Sequence, residues 1–316
     1  MKKYAVFAHY DSECKIDNYV INYLKEIRKN CDVVVFVSDS DLSAEEVEKL
    51  QPYSDINICK KHGEYDFGSY KRGFFAIKND LTEEDELFFI NDSCFCIGNI
   101  DKFFNMKNAD SFAVMKETET NSLHSWFLGF SSKVFLSPDF CDFMESVQKE
   151  KTKNDVIKKY EVGISRMMQK NGFVLDSFFC TQNKDNKKVW NNFCDKNFSL
   201  FMRIWAKFFI SERNLASIYN AGAGLFVIKG MPFVKKAVIL NEDNFFAANW
   251  KVFVKNKEII EKFLHRKNVN QLSRIKTFMQ IQEQRIKSFV FRKKITNKGK
   301  LIIKICKIPV WQGKVS

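Results

Sequence analysis

The chain has 316 residues, of which 45% are hydrophobic and 28% are charged, and this composition excludes an intrinsically disordered protein. The net charge of +13 is unevenly spread. Residues 251–316 hold 18 Lys and Arg but 3 Asp and Glu, whereas the first 250 residues hold 33 basic and 35 acidic side chains. No run of about 18 apolar residues is present, so no membrane-spanning helix is predicted.

The start of the chain predicts a cytoplasmic location. Residues 1–10 lack the longer apolar segment and the cleavage site of a secretory signal. The nine cysteines are an odd number and include no Cys-x-x-Cys pair. We therefore expect reduced core cysteines rather than disulfides or a zinc site.

The first half of the chain predicts strands that alternate with helices. Short apolar or β-branched runs predict the strands, and apolar residues three and four apart predict the helices. The predicted strands are residues 4–9, 32–37, 56–59, 86–90, 111–115 and 126–130, and the predicted helices are 17–29, 43–50 and 68–78. This order predicts an α/β fold, with a mostly parallel sheet of the Rossmann type flanked by helices.

Polar residues follow several of these strands and are the first candidates for a binding site. In parallel sheets, ligands bind beyond the carboxyl ends of the strands. The candidates are His9 and Tyr10 after the first strand, Asp39 after the second, and Asn91, Asp92 and Ser93 after the fourth.

The second half predicts helices at residues 156–170 and 198–210, and a glycine-punctuated strand or loop at 222–230. Residues 257–295 carry apolar side chains at helical spacing with basic residues between them. Residues 251–316 are therefore predicted to form a basic, amphipathic helical tail that follows a main domain of residues 1–250.

The turn Asn91-Asp92-Ser93 is a candidate metal site. A carboxylate at a strand end can hold a divalent cation such as Mg²⁺ or Mn²⁺ through oxygen ligands. The usual pattern is Asp-x-Asp, and here Ser93 offers only a neutral oxygen, so metal dependence is left open. The alternative is a turn that caps the next element.

Three further motifs contain candidate residues. Glu161 is predicted near a helix start, where its charge is favoured, and Gly172 suits the end of that helix. The run from Asp66 through Phe67 and Gly68 to Lys71 opens a helix, whose backbone NH groups suit a phosphate. Lys235 and Lys236 follow a turn and face either a diphosphate or solvent. Helix capping, aromatic packing and solvent exposure are the alternatives for these motifs.

Taken together, the motifs resemble the rhamnan synthesis protein F family. In chain order they are Tyr-Asp-Phe-Gly-x-Tyr-Lys at 65–71, Asn-Asp-Ser at 91–93, His-Ser-Trp-Phe-Leu-Gly-Phe at 124–130, Tyr-Glu-Val-Gly at 160–163 and Gly-x-Pro-Phe-Val-Lys-Lys at 230–236. The resemblance runs over about residues 4–240. Members look like GT-A-type glycosyltransferases that build rhamnose-containing or other cell-surface polysaccharides.

The resemblance implies sugar transfer, with rhamnose the expected sugar, from a nucleotide donor to a lipid-linked glycan. It implies a nucleotide-sugar half at about residues 1–115 and an acceptor half at about 116–250. It places Asp92 at the metal or diphosphate position and Asp66 with its neighbours in the donor cleft. It also places His124, Ser125 and Trp126 near the acceptor. By analogy with inverting GT-A enzymes, Glu161 becomes the general base.

The basic tail predicts an anionic partner. Its basic residues are interleaved with large apolar ones, which suits a helix lying on the inner face of the cell membrane. No nucleic-acid-binding module is recognisable, so nucleic acid is not the expected partner. An ordinary helix packed on the main domain is the alternative. For the whole chain, the rival function is a non-catalytic carbohydrate- or lipid-binding assembly protein.

Overall fold

The computed structural model describes the chain except residues 106–108, 183, 201, 204–205, 207–209, 242–244, 270–279, 281–290, 296–299, 306–307 and 315–316. The strands are β1 (Lys3–His9), β2 (Val33–Ser38), β3 (Ile56–Cys59), β4 (Glu86–Asn91), β5 (Cys94–Cys96), β6 (Ser111–Glu117), β7 (Ser122–Leu123), β8 (Phe127–Ser131), β9 (Leu175–Cys180), β10 (Phe233–Lys235), β11 (Phe291–Ile295), β12 (Lys300–Ile305) and β13 (Ile308–Lys314).

The α-helices of the described residues lie between these strands. They are α1 (Asn18–Arg28), α2 (Ala44–Glu48), α3 (Tyr65–Ile77), α4 (Ser132–Phe135), α5 (Pro138–Glu145), α6 (Lys153–Val156), α7 (Val162–Lys170), α8 (Asn186–Asn197), α9 (Glu212–Ala216), α10 (Gly222–Ile228), α11 (Lys236–Leu240), α12 (Phe245–Phe253) and α13 (Glu258–Arg266). None of them is long and apolar enough to cross a membrane.

The central sheet confirms the predicted α/β class. Its strand order is β3-β2-β1-β4-β8-β6-β7, and β9 pairs with β6. The four strands from β3 to β4 are parallel neighbours, whereas β8 is antiparallel to both β4 and β6. Parallel pairing brings the carboxyl ends of β1, β2 and β4 to one edge, with Ala8 opposite Asn91 and His9 opposite Ser38.

Each face of this sheet is covered by helices. Alternate residues of a strand point to opposite faces. Ala5 and Phe7 of β1 accordingly lie in one core cluster with α1, and Tyr4 and Val6 lie in a second cluster with α3, α5 and α7. The sheet is thus buried on both faces, as the apolar runs of β1, β2 and β4 predict.

The predicted segments 222–230 and 198–210, both in the second half of the chain, have different outcomes. The segment at residues 222–230 is mostly the helix α10, so the predicted strand or loop is wrong. Its glycines allow close packing, since a Cβ at Gly224 would lie 2.7 Å from the Phe253 ring. Six of the thirteen residues of the predicted helix at 198–210 fall outside the described residues, so this prediction stays a prediction.

The tail is not helical throughout. After α13, a three-stranded antiparallel sheet of β11, β12 and β13 occupies the end of the chain. The isoleucine-rich run at residues 301–308 fits strands better than a helix, because β-branched residues favour extended backbone. The predicted boundary at residue 250 falls inside α12, and Ile260 and Phe263 of α13 lie in the main core.

Candidate active site

Asp92 is held in a turn at the carboxyl edge of the sheet. Its backbone NH donates to the carbonyl of Ala8 at 3.0 Å, so the pairing of β4 with β1 continues into the start of the turn. The side chain is buried, and its Oδ2 accepts hydrogen bonds from the Tyr19 hydroxyl and from Lys236 Nζ, both at 2.9 Å. Lys236 Nζ also donates to the Tyr19 hydroxyl at 2.6 Å, which closes a triangle of three side chains.

A two-stranded sheet attaches the lysine pair to this turn. β10 pairs antiparallel with β5, with Lys235 opposite Cys94, and the backbone NH of Lys236 donates to the Ser93 carbonyl at 2.8 Å. Lys235 Nζ donates to Ser93 Oγ at 2.7 Å. The structure therefore brings together Asp92, Ser93 and both lysines, although more than 140 residues separate the two segments.

Lys235 is a buried cation. Burial lowers its pKa, but Cys94, Tyr219, Asp66 and Glu161 outweigh burial and hold the pKa above its ordinary value. Its ammonium group also lies 5.2 Å from the centre of the Trp126 ring, within cation–π range. Lys235 therefore keeps its charge in the site.

Asp66 lies among the other charges of the site. Its Oδ2 accepts a hydrogen bond from Asn91 Nδ2 at 2.7 Å. Burial, followed by the negative charges of Asp92 and Glu161, raises the pKa of Asp66 to about 6, and the two lysines oppose this increase. Both predicted catalytic carboxylates therefore act on the same third carboxyl group.

Glu161 lies inside a helix rather than at its start. The helical segment begins with α6 and continues through a π-helical turn, Ile157–Glu161, into α7. Such turns occur often at functional sites. Burial raises the pKa of Glu161, while Lys235 and Lys153 lower it. The position near a helix start was thus predicted wrongly, but the side chain lies in the electrostatic range of Lys235.

The three predicted acceptor residues lie between β7 and β8. His124 Nε2 and Trp126 Nε1 are buried and have no hydrogen-bond partner among the residues that the structure describes. Burial, aided by Lys235, lowers the pKa of His124 to about 3, so the ring is neutral at physiological pH. The carbonyl of Ser125 accepts a hydrogen bond from Tyr70 at 2.9 Å. Buried polar groups without partners are candidates for binding a ligand hydroxyl.

His9 and Asp39 lie at the same edge, in supporting hydrogen bonds. His9 is buried, and its Nδ1 is 2.9 Å from Ser38 Oγ. Asp39 Oδ1 accepts from the backbone NH groups of His62 and Gly63 at 2.6 and 2.7 Å, which fixes the loop before α3. Tyr10 is 54% exposed.

The remaining donor candidates, on α3, have scaffold contacts. Phe67 is buried in the core against Tyr70, with ring centres 5.6 Å apart. A Cβ at Gly68 would lie 2.3 Å from Glu64 Cβ, so glycine permits a close approach there. Lys71 Nζ donates to the carbonyls of Glu145 and Val147, both at 2.8 Å, near the end of α5. The structure therefore gives Lys71 a helix-capping contact rather than one with the Asp92 turn.

Tyr19 is the site residue that the sequence did not reveal. It lies in the first turn of α1, buried beside Val20, where the pattern indicates only a core aromatic. Its hydroxyl group contacts both Asp92 and Lys236.

The Asp92 carboxylate already has a positive charge beside it, the ammonium group of Lys236 at 2.9 Å. Among the described residues, no group of three or more His, Cys, Asp or Glu side chains is placed to hold a metal ion. Asp92 Oδ2 already contacts an ammonium group, which repels a second cation. The predicted Mg²⁺ or Mn²⁺ stays a prediction.

A cavity of about 480 Å³ lies elsewhere, between α1, β5 and α13. Its lining includes Lys25, Cys96 and Lys262, but none of the predicted site residues.

Comparison with known proteins gives one family match. The family described as Rhamnan synthesis protein F matches residues 34–236. The uncharacterized protein y4gN of Sinorhizobium fredii is 25% identical over 175 residues, which is 50% of this chain and 43% of that protein. The chain thus spans less than half the length of this curated relative.

Two solved structures are also similar. The glycosyltransferase GlyE of Streptococcus pneumoniae TIGR4 is 11% identical with a TM-score of 0.41, over 89% of this chain and 64% of that one. The inositol-1-phosphate CTP transferase of T. maritima is 13% identical with a TM-score of 0.36, over 57% of this chain and 85% of that one. With such low scores, the assignment rests on the family match.

Proposed function

Because the chain belongs to the rhamnan synthesis protein F family, we propose that it is a glycosyltransferase that uses a nucleotide sugar as donor. The observation that carries this proposal is the convergence of Asp92, Asp66 and Glu161 with Lys235 and Lys236 at the carboxyl edge of the sheet. Paired cations suit a diphosphate, and a carboxylate of raised pKa suits proton transfer.

In the proposed reaction, the acceptor hydroxyl oxygen attacks the anomeric carbon of the donor sugar. The bond between that carbon and the diphosphate oxygen breaks, and its electron pair leaves with the nucleoside diphosphate. Glu161 takes the hydroxyl proton as general base. Lys235 and Lys236 stabilise the negative charge that develops on the leaving group. Inversion at the anomeric carbon follows from this single displacement.

His124 and Trp126 support the placement of a sugar next to this cluster. Their ring nitrogens are buried without a hydrogen-bond partner in the described part of the chain, and Trp126 packs under Lys235. An acceptor or donor sugar hydroxyl would satisfy them. Neutral His124 can serve as a hydrogen-bond donor or acceptor without adding charge.

We further propose rhamnose as the donor sugar and a lipid-linked surface polysaccharide as the acceptor, at the cytoplasmic face of the membrane. The support is the family and the basic composition of residues 251–316. Basic residues contribute about 1 kcal/mol each near an anionic leaflet. Sedimentation with anionic and with neutral vesicles tests the proposed membrane location. Equal binding of the chain to both kinds of vesicle would contradict it.

The test of the proposed reaction is release of nucleoside diphosphate from a panel of nucleotide sugars. We expect turnover of at least one donor by the unmodified chain. Glu161→Gln should lower the rate by about 10²–10⁴-fold, because the general base is lost. The matched control is Glu145→Gln on α5, an exposed glutamate outside the site, which should leave the rate unchanged.

Two outcomes would contradict the proposal. If no donor binds or turns over, the transferase assignment fails, and donor binding without turnover would favour a non-catalytic carbohydrate-binding protein. If Glu161→Gln keeps near-normal turnover, Glu161 is not the base.

A further inference from the structure

Two side-chain oxygens of the Asn91–Ser93 turn, Asp92 Oδ2 and Ser93 Oγ, already accept hydrogen bonds from lysine ammonium groups. Asp92 Oδ2 accepts from Lys236 Nζ and the Tyr19 hydroxyl, both at 2.9 Å. Ser93 Oγ accepts from Lys235 Nζ at 2.7 Å. A divalent cation at the Asp92 carboxylate would face two ammonium groups on its own ligands.

The two ammonium groups together carry the charge of one divalent cation. Lys235 is the last residue of β10, and Lys236 follows it directly. Both are attached to the Asn91–Ser93 turn by backbone pairing, since Lys235 lies opposite Cys94 and the NH of Lys236 donates to the Ser93 carbonyl at 2.8 Å. A rigid attachment of this kind keeps the positive charge in place without a metal.

The surroundings of each lysine fix its head group differently. Lys235 Nζ lies over the Trp126 ring, 5.2 Å from its centre, and is buried. Lys236 Nζ lies 4.9 Å from the centre of the Tyr19 ring, and its side chain is 20% exposed. Lys236 is therefore the cation that an incoming diphosphate reaches, and Asp92 and Tyr19 are its positioning residues.

We propose that the lysine pair Lys235 and Lys236, oriented by Asp92 and Tyr19, replaces a divalent cation and makes donor binding and transfer metal-independent. This inference rests on the proposed function. Asp92 then acts by holding the Lys236 ammonium group rather than by ligating a metal ion. A nucleoside diphosphate adds its oxygens to Lys236 and shares the ammonium group with Asp92.

The experiment measures the affinity of the full chain for UDP, dTDP and GDP by calorimetry, in EDTA and then with Mg²⁺ or Mn²⁺. We expect at least one of them to bind with a Kd that differs by less than about twofold between the two conditions. Lys236→Ala should weaken that binding about 10- to 100-fold in EDTA, because a charged hydrogen bond is lost. Lys236→Arg should retain most of it.

The matched control is Lys133→Ala. Lys133 also pairs with an aspartate, Asp110, at 3.1 Å, but its side chain is 64% exposed, and it follows β8 at the opposite edge of the sheet, where Ser131 pairs with Glu86 at the start of β4. This variant should bind as the unmodified chain does. Asp92→Asn provides a second comparison, since it keeps the Lys236 charge. We expect it to bind the diphosphate in EDTA but to lower kcat more than it changes KM.

Binding that becomes about tenfold tighter or more with Mn²⁺ would overturn the inference while leaving the proposed function intact. If Asp92→Asn loses diphosphate binding while Lys236→Ala binds normally, the inference is overturned as well, and the proposed function is left intact. If none of the three diphosphates binds under either condition, both the proposed function and the inference fail. If Lys236→Ala does not fold, the comparison of the diphosphate Kd of the unmodified chain with and without a divalent cation still decides whether binding is metal-independent.

Discussion

At the scale of single residues, Asp66 connects the two carboxylates on which the proposed reaction depends. It accepts a hydrogen bond from Asn91, and burial with the charges of Asp92 and Glu161 raises its pKa to about 6. The sequence predicted Asp66, Asp92 and Lys235 as site residues, because each belongs to a short polar motif. It could not predict Tyr19, because a tyrosine on the apolar face of a helix is expected to pack in the core. Only the fold brings the Asp92 carboxylate to its hydroxyl group.

The raised pKa of Asp66 predicts a pH-dependent cost to stability. The folded state holds this proton more tightly than the unfolded state, whose pKa is near 3.8. The free energy of unfolding therefore falls as the pH rises from about 4 to about 6, by roughly 3 kcal/mol, and stays lower above that range. The substitution Asp66→Asn removes the titrating group, and the amide oxygen that it introduces can still accept the Asn91 hydrogen bond.

Denaturant unfolding of both proteins between pH 4 and pH 7 measures this effect. We expect the stability of Asp66→Asn relative to the unmodified chain to increase by roughly 3 kcal/mol across the range. A difference that stays constant with pH would contradict the assignment of a raised pKa to Asp66.

At the scale of elements, the strands that form the carboxyl edge of the sheet were predictable from the sequence. The elements in the second half of the chain were less predictable. Apolar runs and helical spacing predict the elements from β1 to β4, since each is buried and regular. The glycines of α10 misled the prediction, because they permit close packing rather than a turn: Gly224 approaches the Phe253 ring, and Gly222 approaches the Leu215 backbone. In the tail, the alternation of basic and apolar residues suggested a helix, but the β-branched residues at 301–308 favour the strands that the pairing of β11 with β12 shows.

The packing of α3 on β1 predicts the effect of one substitution. A Cβ at Gly73 would lie 2.2 Å from Val6 Cγ1 and 3.2 Å from Val37 Cγ2. Gly73→Ala should therefore destabilise the chain by about 1–3 kcal/mol through overpacking. The control Gly163→Ala lies in α7, where the nearest atom is in the Phe143 ring at 3.4 Å.

For the control, alanine should be neutral or should stabilise the helix by about 0.5–1 kcal/mol, because it restricts the unfolded chain. Thermal unfolding compares the two variants. Equal stability of both would contradict the close contact between α3 and β1.

At the scale of the whole molecule, the chain after residue 250 is not simply an appendage. α13 buries Ile260 and Phe263 in the main core, and Arg266 forms ion pairs with Asp11, Glu13 and Asp17 in the loop after β1. The composition predicted a separate basic tail because it cannot show that acidic partners for Arg266 lie near the start of the chain. This contact fixes the loop that continues from His9 at the edge of the site.

The most direct test of the account is hydrogen–deuterium exchange of the full chain, with and without the nucleoside diphosphate that it binds. The account predicts slower exchange in two segments far apart in sequence, residues 90–94 and 233–240, because the diphosphate binds Lys236 next to the Asn91–Ser93 turn to which it is hydrogen-bonded. Slower exchange confined to the cavity lined by Lys25 and Lys262, with no change in those two segments, would contradict it.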